Sequence, residues 1–347
     1  MMSELVFPAE WAPQDGVMVT WPHRNSDWAS LLEEVTGCFI AFSKEILRRE
    51  KLLAILPAGL DINRHFTGEE QQNLITVEIS SNDTWARDHG PLILFRDDRP
   101  VIADFGFNGW GLKFPANRDN QITRQLWEKG IFHPWASYQE RLNFILEGGS
   151  LESDGEGTIL TTSNCLLAPN RNQSMTKMEI EVALKEMLGA NRVLWLNHGY
   201  LAGDDTDSHI DTLARFCDPD TIAYVKCEDT ADEHYESLRA MERELQAFVT
   251  DNGNPYRLIP LPMAEAVYEE EMRLPATYAN FLILNDAVLL PYYGTEKDEM
   301  ARRQLLQAFP GREVIGVDCS TLIRQHGSLH CVTMQLPKGL LNVNSKR

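Results

Sequence analysis

The sequence predicts an α/β fold built from five strand–strand–helix–strand units, arranged in a ring that the C-terminal strand closes. Two β-rich runs joined by a short polar turn, then an amphipathic helix, then a third β-rich run recur at roughly 60 to 70 residues per unit. The first unit lacks its leading strand, and the last β-rich run, residues 331–336, has no unit of its own. A ring in which this run completes the first unit leaves no exposed sheet edge. An ordinary open α/β sheet is the alternative.

The first two units are the least regular. The apolar run 16–21 precedes a helix whose apolar face extends over residues 28–46, and the run 51–56 follows as the closing strand. The second unit opens with a hairpin that turns at residues 97–98. A weaker helix around residues 121–130 follows that hairpin.

The third, fourth and fifth units are clearer. Their hairpins turn at residues 154–157, 218–220 and 285–286, and their helical patterns cover residues 176–190, 230–254 and 296–309. In the fourth unit, Thr230 and Glu233 predict a capping box at the start of the helix, and Asn252-Gly253 predicts its end. Short β-rich runs follow each helix and complete the units.

Composition limits the classes of function. Lys and Arg total 32 against 51 Asp and Glu, so the formal charge of −19 opposes binding to nucleic acid or to anionic membranes and would attract a cation. Simple solubility explains the same charge. The six cysteines form no CxxC pair, the first residues lack a secretory signal, and no apolar run reaches the ~18 residues of a membrane span. We therefore expect a reduced, cytoplasmic protein with a single domain over residues 1–347.

Polar and reactive side chains stand just before the first strand of several units, and a ring of units would bring them into one central space. In chain order they are Trp85, Arg87, Asp88, Glu147, Asp207, His209, Asp211, His330 and Cys331. Glu147 ends an apolar run, and the following Gly148-Gly149 would let backbone or a ligand approach closely. Taken singly, each candidate also has a structural explanation, as a turn acid, a paired imidazole or a buried apolar thiol.

Several other chemistries have little support in the sequence. The stretch DDTDSHID, residues 204–211, is rich in potential metal ligands but lacks the Gly and the closing Glu of an EF-hand loop. The chain has no HExxH, P-loop, GxGxxG or GxSxG motif, and we expect no catalytic metal. A cysteine protease must stabilise an oxyanion, which nearby carboxylates would oppose. The same carboxylates suit a planar cation with several N–H donors, such as a guanidinium.

Four stretches of the sequence, supported by FGFNGWGLKF at 105–114, follow one another in the order found in a known family. They are TWARDHGP (84–91), EGGSLESDGEGTILTTSNCLLAPNRN (147–172), DDTDSHIDTLARF (204–216) and HCVTMQLP (330–337). They resemble the agmatine deiminases and their porphyromonas-type peptidylarginine deiminase relatives, of the guanidino-modifying, or pentein, superfamily. This resemblance covers nearly the whole chain. It implies a five-bladed α/β propeller that hydrolyses agmatine to N-carbamoylputrescine and ammonia, feeding putrescine synthesis, without a cofactor.

The resemblance also implies roles for individual residues by their place in these motifs. Cys331 looks like the nucleophile, which would form a covalent S-alkylthiouronium, and His209 looks like the general acid and base. Asp88 and Asp211 resemble the carboxylates that clamp the guanidinium nitrogens. Glu147 resembles a second acid that binds and shuttles protons. A bound cation would favour the thiolate form of Cys331.

Substrate choice is less firmly implied. Trp85 would lie against the aliphatic chain of the substrate. Acids or aromatic rings such as Trp85 can bind the ammonium of agmatine. Free arginine would instead require a cationic side chain that faces its carboxylate. Ser208 stands where the family commonly has Gly, and the loop RQHGSLHC (324–331) keeps only Gly327 of a glycine run. Arginine or peptidyl-arginine is therefore an alternative substrate, and a non-catalytic binding module on the same fold is a second alternative. The expected partner is a small guanidino cation rather than nucleic acid or membrane, and a homo-oligomer is compatible with the sequence.

Overall fold

A computed structural model describes residues 5–342 and shows a mixed α/β fold with five sheets of three or four strands and one separate two-stranded hairpin. The strands are β1 (Leu5–Val6), β2 (Gln14–Thr20), β3 (Lys51–Leu56), β4 (Leu74–Glu78), β5 (Leu92–Arg96), β6 (Arg99–Gly106), β7 (Ser137–Ile145), β8 (Glu152–Ser153), β9 (Thr158–Thr162), β10 (Arg192–Leu196), β11 (Ala214–Asp218), β12 (Thr221–Lys226), β13 (Arg257–Pro262), β14 (Val267–Glu269), β15 (Met272–Leu274), β16 (Leu282–Ile283), β17 (Ala287–Tyr292), β18 (Glu313–Asp318) and β19 (Thr333–Pro337). The helical segments are α1 (Leu32–Leu47), α2 (Ala86–His89), α3 (Gly109–Leu112), α4 (Ile122–Glu128), α5 (Ser163–Leu166), α6 (Lys177–Leu188), α7 (Tyr235–Ala247) and α8 (Glu296–Ala308). Among these described segments, no helix is long and apolar enough to cross a membrane.

The same order of strand pairs recurs in the five larger sheets. An antiparallel pair comes first, and its second strand then pairs in parallel with a third strand that lies beyond a helix. The trios are β19-β2-β3, β5-β6-β7, β8-β9-β10, β11-β12-β13 and β16-β17-β18. The strands β4 and β1 extend two of the sheets at an edge. The five strand–strand–helix–strand units predicted from the sequence are therefore present in the strand pairing.

The C-terminal strand lies in the same sheet as the first long strand of the chain. β19 pairs antiparallel with β2, with Thr333 opposite Val19 and Leu336 opposite Gly16. The prediction that the last strand supplies the missing strand of the first unit is confirmed. Because β19 begins at Thr333, Cys331 lies in the turn that leads into the strand rather than within it.

One predicted helix start is wrong. α7 begins at Tyr235, and the residue before it makes no side-chain cap, so Thr230 and Glu233 form no capping box. The carboxylates of Asp229 and Asp232 instead accept backbone N–H groups two residues further on, and such local turns compete with the helix. α7 also ends at Ala247, before the predicted stop at Asn252, because the following residue is extended. By contrast, α6 begins with a complete capping box between Thr176 and Glu179.

Apolar side chains fill the interior between the sheets and their helices. α1, for example, buries Phe39, Phe42 and Ile46 completely on the face that packs against β3. The loops that enter the first strand of each trio are buried as well, unlike ordinary surface connections. These buried loops hold the residues that the sequence analysis singled out.

Candidate active site

The six candidate residues converge from four segments, each directly before the first strand of a trio. Trp85 and Asp88 lie at α2 before β5, and Glu147 precedes a 3₁₀ turn, Gly148–Ser150, that leads to β8. His209 and Asp211 lie at a second 3₁₀ turn, Ile210–Thr212, before β11. Cys331 precedes β19. Equivalent positions in different sheets thus bring together residues far apart in the sequence.

Asp88 lies at the centre of this group and is 4% exposed. Its Oδ1 accepts the backbone N–H of Gly149 at 2.9 Å, and its Oδ2 accepts the indole N–H of Trp110 at 2.9 Å. His209 Nδ1 is 3.5 Å from Oδ1. Burial raises the pKa of Asp88, His209 opposes that rise, and the charge of Asp211 adds to it. The Asp88 carboxylate therefore gains from any additional positive charge.

His209 lies between two acids, one on each side of its ring. Nδ1 faces Asp88, and Nε2 is 3.8 Å from Oε2 of Glu147. Burial lowers the pKa of His209, but the neighbouring charge of Asp88 and the contact with Cys165 outweigh burial and raise this pKa well above its usual value. The imidazole is therefore protonated at neutral pH and can supply a proton from Nδ1 towards Asp88 and the centre of the site.

Glu147 is fully buried behind His209 and is held by an arginine. Arg171 Nε lies 2.9 Å and 3.0 Å from the two carboxylate oxygens, and its side chain is fully buried too. Burial raises the pKa of Glu147, but the nearby His209 ring and the charge and hydrogen bonds of Arg171 more than offset it, so the pKa falls below its usual value. Glu147 is therefore a fixed anion that holds the imidazolium in place.

Cys331 lies close to Asp211 on the other side of the group. Its Sγ is 4.0 Å from Oδ2 of Asp211 and 3.4 Å from Oδ1 of Asn280, which also accepts the Cys331 backbone N–H at 3.2 Å. Burial raises the pKa of the Cys331 thiol well above its usual value, and the negative charges of Asp211 and Asp88 raise it further. In the protein by itself, this sulfur is a neutral thiol.

A cavity of about 150 Å³ opens above Cys331 and Asp88. Aromatic and acidic residues line this cavity. The aromatic residues are Trp85, Trp110 and Phe114, and the further acids are Asp27, Asp83, Asp119, Asp204 and Asp205. Within the part of the chain that the structure describes, no lysine or arginine lines this cavity. Glu147, His209 and Asp211 do not line it and lie behind its floor, where they contact the residues that do.

Two glycines are required by the close approach of functional groups. A Cβ atom at Gly149 would lie 2.6 Å from His209 Nδ1, 2.8 Å from Asp88 Oδ1 and 3.2 Å from Asp211 Oδ2. These three groups therefore face one another across a position that has no room for a side chain. A Cβ atom at Gly327 would lie 2.1 Å from the Trp85 ring, which explains why the loop 324–331 keeps this glycine.

Strained backbone lies on both sides of the site. Asp207 and Ser208 have φ values of 67° and 68°, in the left-handed region that favours glycine, directly before His209. A serine rather than a glycine at position 208 therefore costs conformational energy. The segment α3 has four successive left-handed residues, and this tight turn aims the Trp110 indole at Asp88.

Two buried clusters in the described chain contain enough ligands to hold a metal ion. One is Glu147, Cys165 and His209, and the other is Glu10, Glu152 and His330. An arginine already pairs with each cluster, since Arg171 contacts Glu147 and Arg215 contacts Glu10 and Glu152. A divalent cation would be placed beside these guanidinium groups, which disfavours its binding.

Three further residues, which the sequence did not predict, complete the site. Asn280 precedes β16, the position in the fifth unit that corresponds to the other candidates, so the same argument could have found it. Arg171 and Trp110 lie within stretches that were singled out as motifs, but no role was assigned to them. The spacing of residues in the sequence does not identify Arg171 or Trp110, because both act through contacts with distant parts of the chain.

Known proteins similar to this chain share its length and its fold. The family described as Porphyromonas-type peptidyl-arginine deiminase matches residues 6–337. The agmatine deiminase of Pseudomonas aeruginosa (strain UCBPP-PA14) is 33% identical over 354 residues, which cover 95% of this chain and 95% of that protein. The crystal structure of the "Putative Arginine Deiminase" from Porphyromonas gingivalis is 54% identical, with a TM-score of 0.94, over 97% of this chain and 100% of that one. C. jejuni agmatine deiminase with substrate bound is 40% identical, with a TM-score of 0.90, over 97% of each chain.

Proposed function

This chain belongs to the Porphyromonas-type peptidyl-arginine deiminase family, and we propose that it hydrolyses agmatine with water to N-carbamoylputrescine and ammonia. The observation that carries the proposal is an acidic cavity that ends at the Cys331 thiol, with Asp88 and Asp211 beside it. The similarity to agmatine deiminases from two other organisms supports the same substrate.

The proposed clamp on the guanidinium consists of Asp88 and Asp211. Their carboxylates face each other across Gly149, and Oδ1 of Asp211 is buried with no hydrogen-bond partner among the described residues. A guanidinium presents parallel N–H donors in a plane, which two carboxylates can accept in pairs. Binding would give that buried oxygen the donor it lacks and would add a cation beside Asp88.

Covalent catalysis would begin once this cation is bound. Burial, together with the charges of Asp211 and Asp88, keeps the Cys331 thiol protonated, and a bound guanidinium would offset the two charges. With substrate present, the thiol can therefore release its proton to solvent and become a thiolate. The thiolate then attacks the guanidinium carbon. His209 gives its proton to the departing nitrogen, ammonia leaves, and an S-alkylthiouronium remains on Cys331.

The second half of the reaction would use His209 in the opposite sense. Having lost its proton, the imidazole takes one from a water molecule that attacks the thiouronium carbon. The carbon–sulfur bond then breaks, the added hydroxyl gives its proton to the departing sulfur, and N-carbamoylputrescine leaves with Cys331 restored as a thiol. Glu147 supports both steps because it remains an anion beside Nε2 and stabilises the charged form of the ring.

The acids that line the cavity favour agmatine over free arginine. Agmatine ends in an ammonium, whereas arginine ends in an ammonium and a carboxylate. Besides Asp88, five acids line the cavity with no lysine or arginine in its described part, so a carboxylate would meet acidic groups and no cationic partner. The Trp85 and Trp110 rings offer flat apolar walls to the aliphatic chain. Peptidyl-arginine is a weaker second candidate, because a peptide would have to enter the same acidic cavity.

The proposal also covers the arrangement of the five sheets, the cellular location and the metabolic role. We propose that the five sheets surround one axis as a five-bladed α/β propeller that forms a single domain. The junction of β19 with β2 supports this arrangement, since it joins the two ends of the chain in one sheet. We further propose a cytoplasmic enzyme of putrescine synthesis that needs no cofactor and binds neither nucleic acid nor membrane.

An ammonia-release assay tests the substrate directly. Purified protein is supplied in parallel with agmatine, free arginine and an arginyl peptide, and ammonia is measured against time. We expect the highest kcat/KM with agmatine, and mass spectrometry should detect N-carbamoylputrescine. Faster turnover of arginine or of the peptide would replace agmatine as the substrate, and no turnover of any of the three would remove the proposed function.

A further inference from the structure

A buried chain of ionisable groups extends from Asp211 away from the cavity. His330 Nδ1 lies 2.8 Å from Oδ2 of Asp211, and its Nε2 lies 2.6 Å from Oε2 of Glu10. His330 is 1% exposed, and both acids are buried. Glu10 comes from the loop before β2 and is more than 300 residues away from His330 in the sequence. The contact joins the start of the chain to the turn that carries Cys331.

The geometry fixes the charge of this imidazole. An ionised carboxylate only accepts hydrogen bonds, so an imidazole between two carboxylates must carry a proton on each nitrogen. Burial raises the pKa of Glu10, but the charges of His330 and Arg215 reverse this and hold the pKa well below its usual range. Burial likewise opposes the lowering of the Asp211 pKa, which the hydrogen bond from His330 brings about. Both acids are therefore ionised, and His330 is an imidazolium.

His330 holds one oxygen of Asp211 in place. Oδ2 receives the N–H of His330 at 2.8 Å and the side-chain amide of Asn280 at 3.3 Å, whereas Oδ1 is buried and unpartnered among the described residues. Oδ2 is also the oxygen that lies 4.0 Å from Cys331 Sγ and faces Asp88 across Gly149. We infer that His330, held between Glu10 and Asp211, is a positioning residue that fixes Oδ2 and thereby orients the Asp211 carboxylate for the guanidinium. This inference rests on the proposed function and extends it to residues outside the cavity.

Other charged groups around His330 support the need for its charge. Glu152 lies within 4.8 Å of the Glu10–His330 pair, Arg87 donates to the His330 carbonyl oxygen at 3.5 Å, and Arg215 contacts both Glu10 and Glu152. The two arginines lie on the Glu10 side of the imidazole and pair with Glu10. Without the His330 side chain, Asp211 would lose the hydrogen bond to Oδ2 and would face the Asp88 charge with only the more distant charges of His209 and Arg215 to oppose it.

The test measures agmatine binding by calorimetry in a Cys331→Ala background, where no turnover interferes. We expect His330→Gln to raise the Kd for agmatine about tenfold or more, the loss typical of a weakened hydrogen bond to a charged group. The matched control is His198→Gln, because His198 pairs with Glu244 at 2.9 Å but is exposed and does not line the cavity. This control should bind agmatine as the background does. An unchanged Kd in a folded His330→Gln protein would overturn the inference.

A second variant, Glu10→Gln, tests the positioning role without changing His330 itself. It replaces the carboxylate that lies 2.6 Å from Nε2 by a neutral amide, so the hold of His330 on Oδ2 of Asp211 should weaken and agmatine affinity should fall severalfold relative to the background. Agmatine affinity equal to that of the background in the folded Glu10→Gln protein would overturn the inference, even if His330→Gln fails to fold.

The two proposals fail in different ways. If the unmodified protein releases no ammonia from any guanidino substrate, the proposed function is wrong whatever the variants do. If it does release ammonia while both variants bind agmatine as the background does, only the role of His330 is wrong.

Discussion

Replacing Asp88 by Asn tests the clamp most directly. The two oxygens of Asp88 accept N–H groups from Gly149 and Trp110, each at 2.9 Å, so one N–H must face the new amide NH₂ group. The substitution also removes the charge that the guanidinium would meet. A hydrogen bond to a charged group contributes roughly 1.5–3 kcal/mol, so we expect agmatine binding to weaken by more than about 1.5 kcal/mol, or at least tenfold in Kd.

Stability should respond differently from binding in the Asp88→Asn protein. Burial raises the pKa of Asp88, which means that the ionised carboxylate lowers the free energy of unfolding. A neutral amide at this position avoids part of that loss of stability. Calorimetry in the Cys331→Ala background measures binding, and urea unfolding measures stability. Asp104→Asn is the matched control, since Asp104 is buried and accepts from Tyr138 but does not line the cavity. If Asp88→Asn binds agmatine as tightly as the Asp104→Asn control does, Asp88 is not part of a clamp.

Three further predictions concern the sulfur, the strained loop and the pH dependence of stability. Cys331→Ala should abolish ammonia release while agmatine still binds in calorimetry, and retained turnover would exclude Cys331 as the nucleophile. Ser208→Gly should raise the free energy of urea unfolding by about 1 kcal/mol with activity retained, because an L-residue at φ 68° is strained, and a loss of stability would contradict this. Burial raises the pKa of Glu50 to about 7. Glu50 therefore loses its proton at a lower pH in the unfolded chain than in the folded protein, and the free energy of unfolding falls as pH rises from about 4.5 to about 7. Glu50→Gln should make that fall smaller when unfolding is measured at several pH values. If the free energy of unfolding depends on pH in the same way in both proteins, the raised pKa of Glu50 is refuted.

The strand order could be predicted from sequence because the signals are local. Asp97 and Asp98 turn the β5–β6 hairpin with φ values of 50° and 59°, which short polar residues tolerate, and apolar runs flank them on both sides. The start of α7 could not be predicted in the same way. Thr230 and Glu233 match the capping pattern, but the neighbouring aspartates offer the backbone competing turns. Local propensity alone does not decide between two such arrangements.

Part of the site could also be predicted from the sequence, because the units repeat. Asp88 and His209 stand at equivalent strand starts, so the repeat of the units points to a common location, and the structure places them 3.5 Å apart. Arg171 and Glu10 lie away from these strand starts, Arg171 in the connection between β9 and α6 and Glu10 between β1 and β2. Only the folded chain brings Arg171 to Glu147 and Glu10 to His330, and no spacing in the sequence records those contacts.

The charges around the site explain why its acids can be buried together. They also indicate where a bound cation would be stabilised most. Glu147 is paired with Arg171 at 2.9 Å, and Asp211 is paired with His330 at 2.8 Å, both from behind the cavity floor. Asp88 has no such partner, because its nearest cation, His209, is 3.5 Å away and is shared with Glu147. Of these three acids, Asp88 alone lines the cavity and alone has a raised pKa. A guanidinium would therefore supply the one cation that this arrangement lacks, and it would offset the negative charges that add to burial in keeping Cys331 protonated. In the proposed mechanism, substrate binding and activation of Cys331 are thus one electrostatic step.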